Sequence, residues 1–395
     1  MAKAVVIVMD GVGVGEMPDA YKYGENGANT LKHVCEMVGG LHLPRLQSMG
    51  LGNIADLLGY ELSGVPKVND PQACFGYASE KSNGKDSLTG HFEMIGIVRE
   101  IPFVTYPGNF PPSIVEKIEK VIGRKVIECG HASGTKIIEI HGHESIRSGH
   151  PIIYTSEDSV LQIAAHEDVI SPTELYEMCM AIREVMRGEH EVGRVIARPF
   201  TTIDGKFVRT ERRRDFGLVP DSPNLLTILK EANLKVMACG KIDDIFTTSM
   251  ITDTIHSSNN VDIVRATLDF LKTDNDGLIF TNLIDFDQLY GHRNDSAGFA
   301  ECLKVFDRDL DDIIEAMAKD DLLIITADHG NDPTTESTDH NREYVLILSM
   351  IKSHISGNTL GERKTFADIG ATVSEYFGIK WSLDNGESFL NILKK

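Results

Sequence analysis

Three apolar runs in this chain each end in an aspartate, and two of them are followed closely by histidine. Residues 4–9 lead into Asp10, residues 278–284 lead into Asp285-Phe286-Asp287 with His292 soon after, and residues 322–327 lead into Asp328-His329. Short runs of Val, Ile and Leu predict strands buried on both faces of a parallel sheet. The carboxyl ends of such strands meet at one crevice, where open α/β sheets bind ligands. Carboxylates and imidazoles gathered there need a cation to offset their repulsion and desolvation, so the pattern predicts a metal site.

Six side chains are the candidate ligands for two divalent ions: Asp10, Asp287, His292, Asp328, His329 and His340. His340 is included because it follows the His329 segment closely enough to return to the same crevice. Carboxylate with imidazole favours Mn²⁺ or Zn²⁺, with Fe²⁺ also compatible, over Ca²⁺. Each residue alone has an ordinary alternative, since a strand-end aspartate is often a helix cap and a single histidine is often a core or surface group. Repetition at three strand ends favours the metal site.

A polar, glycine-containing segment at residues 80–96 turns into a helical pattern and supplies hydroxyl groups. Two close metal ions suit in-line displacement at phosphorus, which also needs a nucleophile. A hydroxyl at a helix N-terminus beside a cation loses its proton more readily. Ser87 and Thr89 are both candidates, and the alternative is an ordinary N-cap serine. The segment is not a P-loop, because Asp86 stands where Ser or Thr should follow Gly-Lys.

The candidate ligands lie towards the two ends of the chain and skip its middle. Strand and helix patterns alternate in the C-terminal half, and apolar residues spaced by three and four between Phe299 and Met317 predict an amphipathic helix packed on the sheet. Between about residues 100 and 217, proline-rich turns introduce a separate alternation of strands and helices. We therefore expect a core domain of residues 1–100 and 218–395 with an inserted second domain of residues 101–217.

The net charge and the spacing of the cysteines indicate which partners and which cellular compartment to expect. A net charge of −20 argues against nucleic acid or an anionic membrane as the main partner, because both require a basic face. No apolar stretch approaches the length of a membrane span, and the N-terminal residues lack the layout of a signal peptide. Six cysteines lie far apart with no C-x-x-C pair, a pattern that suits thiols in a reducing cytosol. The expectation is a cytoplasmic enzyme.

With these residues in view, the chain resembles the phosphopentomutases of the alkaline phosphatase superfamily over essentially its whole length. The matching motifs are Gly84-Lys85-Asp86, Thr89-Gly90-His91, Tyr154-Thr155-Ser156 and residues 158–167, 193–200, 326–333 and 366–372. The resemblance implies an α/β fold: an alkaline-phosphatase-like core with a central, mostly parallel sheet flanked by helices, plus an inserted, smaller α+β cap domain.

The resemblance also implies the assignment of site residues. One Mn²⁺ would be held by Asp287, His292 and His340, and a second, beside the nucleophile, by Asp10, Asp328 and His329. The family's nucleophile is usually the threonine of Lys-Asp-Thr, and this chain has Ser87 at that position. The groups near the sugar or its distal phosphate would be Asp158, Arg194, Arg209 and Lys241.

The implied reaction interconverts α-D-ribose 1-phosphate and D-ribose 5-phosphate, and the 2-deoxyribose pair likewise. Phosphorylated Ser87 would donate its phosphoryl group to the free hydroxyl of the sugar phosphate, giving a 1,5-bisphosphate, and the cap would exclude water. A sugar bisphosphate would serve as activator. The partners expected are small pentose phosphates, without nucleic acid or membrane, and the oligomeric state is left open, a monomer included.

Two rival functions come from different classes. One is another enzyme of the same superfamily, either a metal-dependent phosphatase or a cofactor-independent phosphoglycerate mutase. The latter usually has a longer chain and a different sequence around its serine. The other rival is a binding protein with a structural metal cluster. It is disfavoured because structural sites rarely add a nucleophile loop to two ions, and a turnover assay with and without Mn²⁺ separates it from an enzyme.

Overall fold

The computed structural model describes residues 2–156, 159–220, 223–246 and 249–395. The chain divides into two compact units. The first unit is formed by Met1–Pro102 together with Asp221–Lys395, and the second by Phe103–Pro220. The boundaries expected from the sequence were 100/101 and 217/218, and the boundaries between the units are 102/103 and 220/221.

Strands and helices alternate along most of the chain. The strands are β1 (Lys3–Met9), β2 (Gly13–Glu16), β3 (Cys74–Ala78), β4 (Ile127–His131), β5 (Ile152–Thr155), β6 (Val160–His166), β7 (Arg194–Ile203), β8 (Lys206–Arg209), β9 (Arg214–Gly217), β10 (Lys235–Cys239), β11 (Asp253–Ile255), β12 (Gly277–Leu283), β13 (Leu322–Thr326), β14 (Glu343–Ile351) and β15 (Thr359–Arg363). The α-helices are α1 (Thr30–Met37), α2 (Pro44–Met49), α3 (Leu51–Leu57), α4 (Ser87–Met94), α5 (Pro112–Ile122), α6 (Gly134–Ser148), α7 (Pro172–Val185), α8 (Leu225–Glu231), α9 (Ile242–Ile245), α10 (Asn260–Leu271), α11 (Ser296–Ala316), α12 (Ala367–Tyr376) and α13 (Leu390–Leu393). Short 3-10 turns lie at Ala20–Tyr23, Gly188–His190 and Gly291–Arg293, and a π-helical turn lies at Phe286–Tyr290.

The first unit is built on one sheet with the strand order β11-β10-β12-β1-β13-β14-β3-β15, and β2 pairs with β14. The strands from β11 to β13 are all parallel, β14 runs antiparallel to β13, β3 and β2, and β15 is parallel to β3. Every residue of β1, β12 and β13 is buried, as expected for central strands with covered faces. The predicted α/β core with a mostly parallel central sheet is confirmed.

The three strands predicted to carry the candidate ligands are neighbours in this sheet. Strand β1 lies between β12 and β13, and Val8 is in register with both Asn282 of β12 and Thr326 of β13. Because the three strands are parallel and level, the residues that follow them emerge at one edge of the sheet. This register is what brings distant parts of the chain to one crevice.

Helix α11 forms where the apolar spacing predicted it. Its first turn is capped by Asp295, whose side chain accepts a hydrogen bond from the backbone N–H of Gly298 at 2.9 Å. The predicted apolar stripe is buried, with Phe299 and Leu310 fully enclosed. Among the described residues, no helix has both the length and the apolar character needed to cross a membrane.

The second unit has its own mixed sheet, in the order β4-β5-β6-β7-β8 with β9 also paired to β7. Strands β4 and β5 are parallel, as are β6 and β7, and the other pairs are antiparallel. Alternate residues of β7 face opposite sides, so Val195 joins an apolar cluster with α5 and α7 while Phe200 joins a second cluster with α6. The unit therefore has apolar cores on both faces of its sheet.

Candidate metal centre and nucleophile

The carboxyl ends of β1 and β13 place Asp10 and Asp328 side by side. Each aspartate lies two residues beyond the register pair Val8–Thr326. Gly11 adopts a φ of +76°, which suits glycine, and its N–H donates to Asp328 Oδ1 at 3.1 Å. The turn after β1 is therefore joined directly to the end of β13.

Asp10, Asp328 and His329 form the first cluster of candidate ligand atoms, all within 4.8 Å of one another. Asp10 Oδ1 lies 3.3 Å and Asp328 Oδ2 lies 3.5 Å from His329 Nε2. Both oxygens are buried, and among the described residues neither has a hydrogen-bond donor in good geometry. A buried carboxylate oxygen without a donor is costly. A divalent cation is the partner that would satisfy both.

Asp287, His329 and His340 form the second cluster, again within 4.8 Å. His292 lies beside it, with its Nε2 at 3.1 Å from Asp287 Oδ2 and 3.2 Å from His340 Nε2. Asp287 lies within the π-helical turn that follows β12, and the next turn carries His292. Turns of this kind recur at functional sites.

Two histidines turn their Nε2 atom towards the candidate ligand atoms. His292 Nδ1 lies 2.6 Å from the carbonyl oxygen of Thr338, and His329 Nδ1 lies 3.0 Å from that of Gly330. A carbonyl only accepts, so each Nδ1 carries the proton and donates. In the neutral ring, Nε2 then keeps its lone pair and faces the carboxylates, which is the arrangement found in metal-ligating histidines.

Burial and neighbouring charges shift the pKa values of these groups in different directions. Burial, followed by repulsion from Asp328, raises the pKa of Asp10 above its usual value. Burial would lower the pKa of His329, but Asp328 and Asp10 outweigh burial and hold that pKa well above the usual range. Burial would raise the pKa of Asp287, but His340 and His292 outweigh it and hold that pKa well below its usual value. The site stabilises positive charge, as a proton or as a bound cation.

Ser87 is the first residue of α4 and faces the first cluster. Its Oγ lies 2.9 Å from His329 Nε2. Thr89, the other candidate nucleophile, is fully buried, and its hydroxyl donates to Asp86 Oδ2 at 2.6 Å while its N–H donates to Asp86 Oδ1 at 3.0 Å. Asp86 is therefore the N-cap of α4, and the geometry favours Ser87 over Thr89 as the reactive hydroxyl.

Three further side chains contact the candidate ligands and were not identified from the sequence. His91 Nδ1 lies 2.7 Å from the Ser87 carbonyl oxygen and 3.3 Å from Asp328 Oδ2. Asn282 donates to Asp10 Oδ2 at 3.0 Å, and Asn331 donates to Asp287 Oδ1 at 2.6 Å. Asn282 and Asn331 lie in the strand-end segments already singled out, so their proximity in sequence to the ligands was the available signal. These groups orient the carboxylates.

Three of the four candidate substrate groups can be placed, each within its own unit. Asp158 lies outside the described residues. In the second unit, Arg194 Nη1 is 3.4 Å from Asp215 Oδ2, and Arg209 Nη2 donates to the Tyr154 hydroxyl at 3.2 Å. In the first unit, Lys241 precedes α9 and its ammonium donates to Gln288.

Comparison with known proteins identifies close relatives over the full length of the chain. The model of the metalloenzyme superfamily matches residues 2–381. The phosphopentomutase of Acetivibrio thermocellus is 50% identical over 390 residues, covering 99% of both chains. That of Caldanaerobacter subterraneus is 51% identical over 393 residues, covering 100% of this chain and 98% of the relative. The solved structure of the PH0037 protein from Pyrococcus horikoshii aligns with a TM-score of 0.50 at 14% identity, covering 97% of this chain and 99% of that one, and it supports the fold alone.

Proposed function

The chain belongs to the phosphopentomutase family of the metalloenzyme superfamily, and on this premise we propose that it interconverts α-D-ribose 1-phosphate and D-ribose 5-phosphate. The same reaction on the 2-deoxyribose pair is part of the proposal. As a member of this family the chain is a metal-binding enzyme, an isomerase that works by phosphotransfer. The observation that carries the proposal is the contact of 2.9 Å between Ser87 Oγ and His329 Nε2, beside two buried carboxylate oxygens without donors.

Ser87 is the proposed nucleophile and phosphoryl carrier. In the phosphorylated enzyme, the bond between phosphorus and Ser87 Oγ breaks while a bond forms from phosphorus to the free hydroxyl oxygen of the pentose monophosphate. The proton of that hydroxyl passes to Ser87 Oγ, so the products are free serine and the 1,5-bisphosphate. The reverse transfer from the other end of the bisphosphate regenerates phosphoserine and releases the isomer. A sugar bisphosphate therefore acts as activator, because it phosphorylates unmodified Ser87.

Two divalent ions, proposed to be Mn²⁺, fit the side chains at the strand ends. Asp10, Asp328 and His329 would hold the ion nearer Ser87, and Asp287, His292 and His340 would hold the other. The buried oxygens without donors and the inward Nε2 atoms support this assignment. When bound, such ions stabilise the attacking and leaving oxygens of an in-line phosphoryl transfer. Asn282 and the N–H of Gly11 hold the carboxylates in place through their other oxygens.

The second unit is proposed to act as a cap that holds the sugar phosphate and limits hydrolysis of the phosphoenzyme. Asp158, Arg194 and Arg209 would contribute from this unit and Lys241 from the first, since cationic side chains suit a phosphate dianion. The partners are then small pentose phosphates rather than nucleic acid or membrane, in keeping with the net charge of −20. A cytoplasmic location is proposed from the six cysteines, all described and all free thiols.

A comparison of wild type with Ser87→Ala tests the proposal. Wild type incubated with Mn²⁺ and a pentose 1,5-bisphosphate should gain the mass of one phosphoryl group on the peptide that contains Ser87, and should convert ribose 1-phosphate to ribose 5-phosphate. Ser87→Ala should lose both properties while its metal content, measured by elemental analysis, stays that of wild type. Release of inorganic phosphate as the main product would indicate a phosphatase, and turnover of phosphoglycerate alone would indicate the other mutase.

A further inference from the structure

The loop that leads into Ser87 forms no strand over most of its length. This loop, residues 80–86 and called here the nucleophile loop, runs from just beyond β3 to the start of α4 without regular structure. Backbone polar groups in such a segment must be satisfied by other means when they are buried. Two buried charged side chains meet this need: Arg342 donates to carbonyl groups of the loop and Glu93 accepts from its amide groups.

Arg342 donates hydrogen bonds to backbone carbonyl groups of the nucleophile loop. Its Nη1 donates to the carbonyl oxygens of Ser82 at 2.8 Å and Gly84 at 2.7 Å, and its Nη2 donates to that of Glu80 at 2.8 Å. The three carbonyls belong to alternate residues on the two sides of a bend at residues 82–83, and all of them point to one guanidinium. Arg342 has only 2% of its surface exposed.

Glu93 accepts hydrogen bonds from backbone N–H groups of the same loop. It lies in α4 and is fully buried, and it accepts from the N–H of Lys81 at 2.8 Å and of Ser82 at 2.6 Å. It also accepts from the Thr365 hydroxyl at 2.7 Å and from the N–H of Phe366 at 2.9 Å. Helix α4 is therefore hydrogen-bonded, through Glu93, to the loop that leads into it.

Arg342 also connects the nucleophile loop to the candidate metal centre. It lies two residues after His340, and Lys85 of the loop donates to the His340 carbonyl oxygen at 2.7 Å. The guanidinium charge is balanced by Glu80 Oε2 at 2.6 Å and by Asp19 Oδ1 at 3.2 Å. The segment 340–342 thus contains both the candidate ligand His340 and Arg342, which donates to the nucleophile loop.

We propose that Arg342 is a positioning residue that sets the place of Ser87 Oγ relative to the metal centre, an inference that rests on the proposed role of Ser87. The guanidinium is suited to this task because its planar fork donates in several fixed directions at once. A lysine ammonium at this position would be a single point of donation and would not span three carbonyls. Without the Arg342 guanidinium, the nucleophile loop can shift and move Ser87 Oγ with it. A displacement of about 1 Å at a reacting atom costs on the order of 10²-fold in rate.

The decisive variant replaces the buried ion pair as a whole. Arg342→Met alone would leave Glu80 buried without its partner, which is strongly destabilising, whereas apolar replacement of both members of such a pair is often neutral or stabilising. The double variant Glu80→Met with Arg342→Met avoids the penalty of an unpaired buried charge and is therefore better able to fold than the single variant. The three loop carbonyls lose their donor, which is the change under test, and Asp19 remains partly hydrated. Arg363→Met is the matched control, because Arg363 also pairs with a carboxylate (Asp368, 2.5 Å) and a backbone carbonyl (Glu387, 2.9 Å) in the same unit.

The measurements are single-turnover phosphorylation of Ser87 by a pentose bisphosphate, steady-state kinetics, metal content and amide hydrogen exchange. In the double variant, kcat and the rate of phosphorylation should fall by on the order of 10²-fold with KM and metal content unchanged. The amides of Lys81 and Ser82 should exchange like those of an exposed loop. Arg363→Met should lose stability and keep the kcat, the phosphorylation rate and the loop protection of wild type.

The possible outcomes separate this inference from the proposed function. A double variant that phosphorylates Ser87 at the wild-type rate overturns the positioning role and leaves the proposed function intact. An equal loss of kcat in Arg363→Met also overturns it, because general destabilisation would then explain the effect. A wild type that never phosphorylates Ser87 overturns the proposed function and this inference together.

Discussion

His329 belongs to both clusters of candidate ligand atoms and therefore links them. Its Nε2 lies 3.3 Å from Asp10 Oδ1, and its ring centroid lies 4.0 Å from that of His340. The Ser87 hydroxyl approaches the same nitrogen. A single imidazole thus stands between the proposed nucleophile and the two carboxylate groups, so small changes in its position affect all of them.

Replacement of Thr89 by valine separates the two candidate hydroxyls. Thr89→Val removes the hydrogen bond to Asp86 Oδ2 and keeps the shape of the side chain, so we expect a loss of about 1–2 kcal/mol in unfolding free energy. Phosphoenzyme formation should persist, because Ser87 is untouched. Denaturant unfolding and intact mass after bisphosphate treatment check the two parts, and Ser87→Ala is the opposite control. A Thr89→Val protein that folds but takes up no phosphate would transfer the nucleophile to Thr89.

Some site residues could be predicted from their immediate neighbours in the sequence, and others could not. Asp10 and Asp328 were identified because each directly follows a buried apolar run, and His329 because it comes next after Asp328. Their strands are neighbours, with Val8 and Thr326 in register. The roles of Glu93 and Arg342 had no such signal. Their partners in the nucleophile loop are set by tertiary packing, and Arg342 meets Glu80 across 262 positions of sequence.

Among the elements, α4 depends on close contact with the end of β13. A Cβ atom on Gly90 would lie 2.2 Å from the Asp328 carbonyl oxygen, so only glycine allows the helix to approach this far. The approach brings Ser87, at the first position of the helix, to His329. The Thr-Gly-His motif was recognised in the sequence as part of a resemblance, and its physical reason is this contact between helix and strand end.

Gly90→Ala tests the importance of that contact. Alanine favours a helix over glycine by about 1 kcal/mol, but overpacking against fixed backbone costs about 1–3 kcal/mol, so the variant should be less stable than wild type. Since α4 must move away from β13, kcat should fall by about tenfold or more. Thermal unfolding and steady-state kinetics measure both effects. Gly108→Ala, where an added Cβ meets no atom within 4 Å, is the matched control, and equal behaviour of the two variants would contradict the account.

On the scale of the whole molecule, the first unit is assembled from both ends of the chain. Strand β1 pairs with β12 and β13, which are more than 270 residues away, so the sheet is complete only when both segments are present. The alternation of strands and helices predicted the class of fold, because burial on both faces leaves a clear pattern. The antiparallel course of β14 was not predicted, since direction depends on the path of the connecting chain rather than on composition.

The proposed role of the second unit predicts a change in reaction outcome. When residues 103–220 are replaced by a short flexible linker, the first unit should fold, because its sheet takes no strand from the described part of that segment. Ser87 would lose the proposed protection from water, so residual activity should shift from transfer towards hydrolysis. Inorganic phosphate release measured against ribose 5-phosphate formation gives the ratio. A shortened protein that folds, binds metal and still favours transfer would refute the cap.

The most direct test of the central claim is the position of the metal ions in the folded protein. Crystals of the full chain loaded with Mn²⁺ and measured at the manganese absorption edge should give two anomalous peaks. One peak should be coordinated by Asp10, Asp328 and His329 with Ser87 Oγ beside it, and the other by Asp287, His292 and His340. A single peak, peaks at other residues, or a Ser87 hydroxyl remote from both ions would contradict the proposed dimetal centre and the phosphoryl transfer built on it.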